Sequence, residues 1–134
     1  MKAEKISHIG IAVPDLEKAI REYQSILGVN SVEKVGLVGS EKVNVAMIQI
    51  GDSEIELLSP TSEDSAVAKF LRERGPGIHH IAIKVPSVAK AIEDAKAKGF
   101  RVIDSVPRAA ARGAEAAFVH PKSLDGVLLE FYST

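Results

Sequence analysis

The sequence predicts an α+β fold built from two tandem β-α-β-β-β modules, on three observations: a length that suits one core, an internal repeat, and the same succession of strand and helix periodicities in both halves. The 134 residues are 46% hydrophobic and 26% charged, the composition of an ordinary soluble globular protein. Residues 1–134 are therefore expected as a single domain, with module 1 at about 5–60, a linking helix at about 63–75 and module 2 at about 77–132. Lys and Arg number 17 against 18 Asp and Glu, and the resulting net charge of −1 provides no bulk field to attract nucleic acid or an anionic membrane. The absence of cysteine excludes disulfides, a thiolate nucleophile and Cys-based metal sites, leaving His, Asp and Glu as the strong metal ligands. No stretch reaches the ~18 uninterrupted apolar residues of a membrane span, and residues 1–5 lead directly into a strand-like run, so a cytoplasmic protein is expected.

The repeat is visible by eye. His8-Ile9-Gly10-Ile11-Ala12-Val13-Pro14 returns as His80-Ile81-Ala82-Ile83-Lys84-Val85-Pro86 at an offset of 72 residues, and Ile55-Glu56-Leu57-Leu58 resembles Leu129-Glu130-Phe131-Tyr132 at an offset of 74. Residues 5–13 alternate as a strand, and Pro14-Asp15 stop it and cap a helix. That helix carries Leu16, Ala19, Ile20, Tyr23 and Leu27 on one face and ends before Gly28. Strands are expected at 31–38, 43–50 and 54–59, the last two joined by the hairpin signal Gly51-Asp52-Ser53. A helix at about 64–74 and the break Gly75-Pro76-Gly77 lead into the second module. Its strand falls at 78–85 and its helix at 87–98, with Gly99 behind. Further strands are expected at 101–105, 114–119 and 126–132.

Alternation divides the first strand of each module into a bulky face, Ile9, Ile11 and Val13 or Ile81, Ile83 and Val85, and a face of His8, Gly10 and Ala12 or His80, Ala82 and Lys84. The bulky face calls for a helix; a histidine beside Gly or Ala leaves a hollow. A lone histidine there is more often an ordinary part of the core, but two at equivalent repeat positions favour a function. Glu56 and Glu130 stand in otherwise apolar runs, and a carboxylate removed from water needs a cationic partner. An edge strand or a Lys or Arg partner is the plain alternative; for the matched pair, a metal ion is the more economical partner. Two imidazoles and two carboxylates suit Co(II), Mn(II), Ni(II), Fe(II) or Zn(II), with positions left open for substrate.

Paired modules that each contribute a His from the first strand and a Glu from the last resemble the vicinal oxygen chelate superfamily of glyoxalase I, extradiol dioxygenases and bleomycin resistance proteins. The segments Ser7-His8-Ile9-Gly10-Ile11-Ala12-Val13-Pro14-Asp15-Leu16, Gly51 to Pro60, Ala68-Lys69-Phe70-Leu71, Gly77-Ile78-His79-His80-Ile81-Ala82 and Phe118-Val119-His120-Pro121-Lys122-Ser123 are similar to the methylmalonyl-CoA epimerases of that superfamily. The resemblance implies one cupped, mixed β-sheet with helices on its outer face. It implies metal-dependent epimerisation of (2R)- and (2S)-methylmalonyl-CoA by proton transfer at C2 through a stabilised enolate, and a small-molecule acyl-CoA as the partner. By carry-over, His8, Glu56, His80 and Glu130 are the metal ligands, Co(II) is favoured over Mn(II), Ni(II) and Zn(II), and Glu130 doubles as an acid/base; His80 is chosen over His79 because it aligns with His8. The second acid/base is where the chain departs from the pattern, with Ser40 at the expected Glu position and Glu41 one residue later; Glu41 is the candidate, its alternative a solvated loop charge. The segment Ala110-Ala111-Arg112-Gly113 replaces a Gly-rich loop, and Arg108, Arg112 and Lys122 are either anion contacts or solvated charges. A homodimer is the default assembly. A glyoxalase I-like isomerase and a metal-free binding module are the competing readings.

Overall fold

The computed structural model describes residues 2–38 and 41–134, so Ser40 lies outside the described residues. The elements are β1 (Lys5–Ala12), α1 (Leu16–Leu27), β2 (Glu33–Val38), β3 (Val43–Ile50), β4 (Ser53–Pro60), α2 (Ala66–Arg74), β5 (Gly77–Lys84), α3 (Val88–Ala97), β6 (Arg108–Ala109), β7 (Glu115–Val119) and β8 (Leu129–Ser133). The eight strands run in the order β2-β3-β4-β1-β5-β8-β7-β6. β5 and β8 pair in parallel, whereas β2-β3, β3-β4, β6-β7 and β7-β8 are antiparallel, giving a mixed sheet. The chain forms two compact units, one of residues up to His8 together with His80–Thr134 and one of Ile9–His79, and β1 contributes to both.

In the unit Ile9–His79, the carboxylate of Asp15 accepts the Lys18 N–H at 3.1 Å and so caps α1. The helix ends at Gly28, whose φ of 66° is the left-handed conformation that favours glycine. Ala19 and Ile20 pack with Val13, Ala46, Ile48 and Leu57 on one face of the strands. The other face carries Ala12, Val43, Val45, Met47 and Leu58, and there Val67, Phe70 and Leu71 of α2 close the core. α2 therefore covers the face opposite α1, the face on which alternation also puts Glu56, two residues before Leu58.

In the other unit, Ser87 caps α3 through the Lys90 N–H at 3.2 Å. Val88, Ala91 and Ile92 pack against Val85, Ala117, Ile83 and Phe131, so the bulky face of the second repeat does receive its helix. Ala82, Ala114 and Tyr132 are buried on the opposite side.

Two expectations fail in this unit. Residues 101–105 form no strand: Val102 makes a single bridge to Val119, and the short β6 comes later, at Arg108–Ala109. The reason is Asp104, whose carboxylate accepts the Phe118 N–H at 2.8 Å and so takes a donor that a strand carbonyl would otherwise have paired. The last strand begins at Leu129 rather than residue 126, because Asp125 and Gly126 have φ values of 53° and 91°, a left-handed turn that no strand contains.

Candidate active site

Three side chains from three strands of one unit converge: His8 from β1, His80 from β5 and Glu130 from β8. They are 2%, 5% and 4% exposed. Glu130 lies opposite Ala82 across the parallel β5-β8 pair and opposite Phe118 across β7-β8, so it projects on the face that carries His80. Its Oε1 is 3.0 Å from His8 Nε2 and 3.5 Å from His80 Nε2, and the two Nε2 atoms are 3.4 Å apart. One ligand atom from each residue falls within 4.8 Å of the others.

The rings are held from behind. Ser7 Oγ lies 3.1 Å from His8 Nδ1; with Nδ1 so engaged, Nε2 is the nitrogen presented to the cluster. Tyr132 meets the His8 ring edge to face at 4.9 Å, and Phe118 meets the His80 ring in the same way at 5.7 Å. Burial pushes His80 down to about 4, with Glu130 opposing the shift and His8 adding to it. Its imidazole is neutral at pH 7, the form that ligates. Two ring nitrogens facing one buried carboxylate oxygen make a donor set that fits a first-row divalent cation.

The remaining candidates are held as follows. Glu56 belongs to the unit Ile9–His79, where β4 buries it to 7% exposure at the register position opposite Met47. Glu41 sits half-buried in the turn before β3, its N–H bonded to the Val38 carbonyl at 3.2 Å. His79 packs edge to face on Phe70 at 5.1 Å. Arg108 grips Asp104 through Nε at 2.9 Å and Nη2 at 2.6 Å, and its guanidinium stacks over Phe118 at 5.0 Å. Arg112 lies in the 3₁₀ turn Ala111–Gly113 with φ of 59°. The His120-Pro121-Lys122-Ser123 segment is a second 3₁₀ turn: His120 Nδ1 accepts the Lys122 N–H at 3.0 Å, and Ser123 Oγ accepts the Arg101 N–H at 2.9 Å. Burial first, then Arg101 and Lys122, lower the pKa of His120. Sequence reasoning missed Ser7 and Asp104; Ser7 had only its adjacency to His8 as a signal, and Asp104 had none.

Residues 7–118 match the family model of the Glyoxalase/Bleomycin resistance protein/Dioxygenase superfamily. The chain is similar, at 39% identity over 127 residues, to the mitochondrial methylmalonyl-CoA epimerase of Homo sapiens, the match covering 94% of this chain and 72% of that protein. At 39% identity over 132 residues it is similar to the ethylmalonyl-CoA/methylmalonyl-CoA epimerase of Cereibacter sphaeroides, covering 94% of this chain and 95% of that one. A solved structure of methylmalonyl-CoA epimerase in complex with methylmalonyl-CoA and NH4+ matches with a TM-score of 0.93 at 36% identity, covering 99% of this chain and 96% of the other.

Proposed function

The chain belongs to the glyoxalase/bleomycin resistance/dioxygenase superfamily and, within it, to the methylmalonyl-CoA epimerases, and from this premise we propose that it interconverts (2R)- and (2S)-methylmalonyl-CoA with a divalent cation held by His8, Glu56, His80 and Glu130. The observation that carries the reading is the buried meeting of His8, His80 and Glu130. The epimerase relatives, and a similar structure solved with methylmalonyl-CoA, support it.

The C2 proton lies between a thioester and a carboxylate, and its removal puts negative charge on the thioester oxygen. A divalent cation bound at the cluster supplies the Lewis acidity that stabilises this charge. The protein's own work is proton transfer and positioning. Inversion needs one group to take the proton from one side of C2 and a second to deliver a proton to the other side. Glu130 is assigned the first role because its carboxylate is buried against the His8 and His80 imidazoles, and Glu41 the second. The two carboxylates exchange protonation states with each turnover, while His8 and His80 hold geometry. Co(II) as the favoured ion, a single-domain chain, a homodimer and a cytoplasmic location belong to the same proposal. Among the described residues no helix is long and apolar enough to cross a membrane.

The test is conversion of (2S)- to (2R)-methylmalonyl-CoA by metal-stripped and reloaded protein, with methylglyoxal plus glutathione as control. Epimerisation that disappears on stripping and returns with cation is expected. Turnover of the control alone, or metal content near zero after loading, overturns the reading. Glu41→Gln is expected to abolish C2 proton exchange in one epimer while leaving exchange in the other; undiminished exchange in both removes Glu41 from the mechanism.

A further inference from the structure

Asp104 is engaged on both oxygens. Oδ1 accepts Arg108 Nε and Nη2 at 2.9 and 2.6 Å, and Oδ2 accepts the backbone N–H of Phe118 at 2.8 Å. The carboxylate side chain is 12% exposed and the Arg108 side chain 34%. Charge-assisted bonds with a two-pronged arginine grip are stronger and more directional than a surface ion pair. All three act on one residue: the carboxylate fixes the backbone of Phe118, and the guanidinium it orients lies 5.0 Å from the centre of the Phe118 ring. That ring stands at 90° to the His80 imidazole with centroids 5.7 Å apart, and Phe118 is also the residue directly across from Glu130 in the β7-β8 pair.

We propose that Asp104 is a positioning residue for His80, acting through the Phe118 ring that it and Arg108 hold in place. The proposal rests on the reading that His80 is a cation ligand. The Asp104-Arg108 pair has no contact with the reacting atoms in this role; it sets the orientation of an aromatic wall against which one ligand ring is fixed. Groups hydrogen-bonded directly to a ligand change metal affinity by about 10- to 100-fold when lost, and for a partner one step further back the lower end of that range is expected. Arg108 is accordingly a structural cation, committed to Asp104 and Phe118.

Asp104→Asn retains size but puts an amide NH2 where one of the two accepting oxygens was, so either both Arg108 bonds to Oδ1 or the Phe118 N–H bond to Oδ2 is lost. Expected for Asp104→Asn is a thermal midpoint within a few degrees of the parent, about tenfold weaker Co(II) binding in a chelator competition, a changed visible spectrum of the Co(II) protein, and a fall in kcat with little change in KM. Because Asp104 acts through Phe118, the Phe118→Leu and Asp104→Asn/Phe118→Leu proteins should bind Co(II) within about twofold of each other. Arg108→Lys, which retains charge but not the two-nitrogen grip, should fall between parent and Asp104→Asn, and carries the test if Asp104→Asn does not fold. Unchanged affinity and spectrum in Asp104→Asn and Arg108→Lys, or a full tenfold loss from Asp104→Asn on top of Phe118→Leu, overturns the proposal. The His80 ring resonances of the metal-free protein give a separate reading. They should move in Asp104→Asn toward their Phe118→Leu positions; resonances that stay put count against the proposal even if the parent protein takes up no cation, a result that by itself would defeat the metal reading.

Discussion

In the proposed reaction Glu130 is the residue on which binding and chemistry meet, since its Oε1 faces both imidazole Nε2 atoms. Glu130→Gln removes a buried negative charge while preserving shape, so the metal-free protein should be no less stable than the parent in urea. Tight cation uptake should be lost, and epimerisation should fall by at least about 100-fold, the scale of a missing acid/base; a variant that still binds one cation per chain and turns over normally would exclude the assignment. Ser7 works one step back, through the 3.1 Å contact with His8 Nδ1. Ser7→Ala should weaken cation binding about tenfold with little effect on folding, and Ser7→Thr should restore it. Equal affinities in all three proteins, measured by chelator competition, would leave Ser7 a packing residue. His8, His80 and Glu130 were legible because the repeat shows each motif twice, which turns an unremarkable histidine into a matched pair. Ser7 and Asp104 were not legible, because each acts through hydrogen-bond geometry that has no periodicity.

Elements were legible where local pattern and tertiary packing agree. β3 falls at the expected residues, because its core side chains alternate between the α1 and α2 clusters, and α1 follows its cap and its apolar stripe. The failures at 101–105 and 126–128 come from a side chain that substitutes for a strand partner and from two left-handed residues in succession. The side α2 covers was also beyond the sequence, since an amphipathic helix shows which of its faces is buried but not which sheet face buries it. Ser65 is the residue that starts this helix: it is 3% exposed, and its Oγ accepts the Ala68 N–H at 3.0 Å. Ser65→Ala should therefore cost about 1 kcal/mol of unfolding free energy, read as a lower urea midpoint at unchanged slope, with Co(II) affinity unchanged. A loss of affinity would mean that α2 bears on the site as well as on the core.

At the scale of the whole chain, the sequence repeat and the compact units divide the molecule differently. The repeat breaks near Gly75-Pro76-Gly77, whereas the units separate after His8 and before His80. His8 of the first repeat is therefore grouped with His80 and Glu130 of the second, and one unit assembles three of the proposed ligands from both ends of the sequence. This grouping links the stability of the unit to pH and to cation. The folded-state pKa of His80 is depressed to about 4 from 6.5, burial being the largest cause. Between these values the unfolded chain binds more protons, so stability rises with pH through the window, is full above about 6.5, and is lost as pH falls toward 4; each pKa unit is about 1.4 kcal/mol, for an effect of about 3 kcal/mol. The thermal midpoint of the metal-free protein should accordingly drop from pH 7 to pH 4.5, and less so in His80→Phe, which has no proton to gain. A divalent cation at 100 times its Kd should add about 2.7 kcal/mol at pH 7. The increment should shrink as pH falls toward 4, where protons compete for the His80 imidazole. An increment independent of pH would place the cation away from His8 and His80, and a midpoint in His80→Phe that falls as steeply as the parent's would assign the acid sensitivity to other groups.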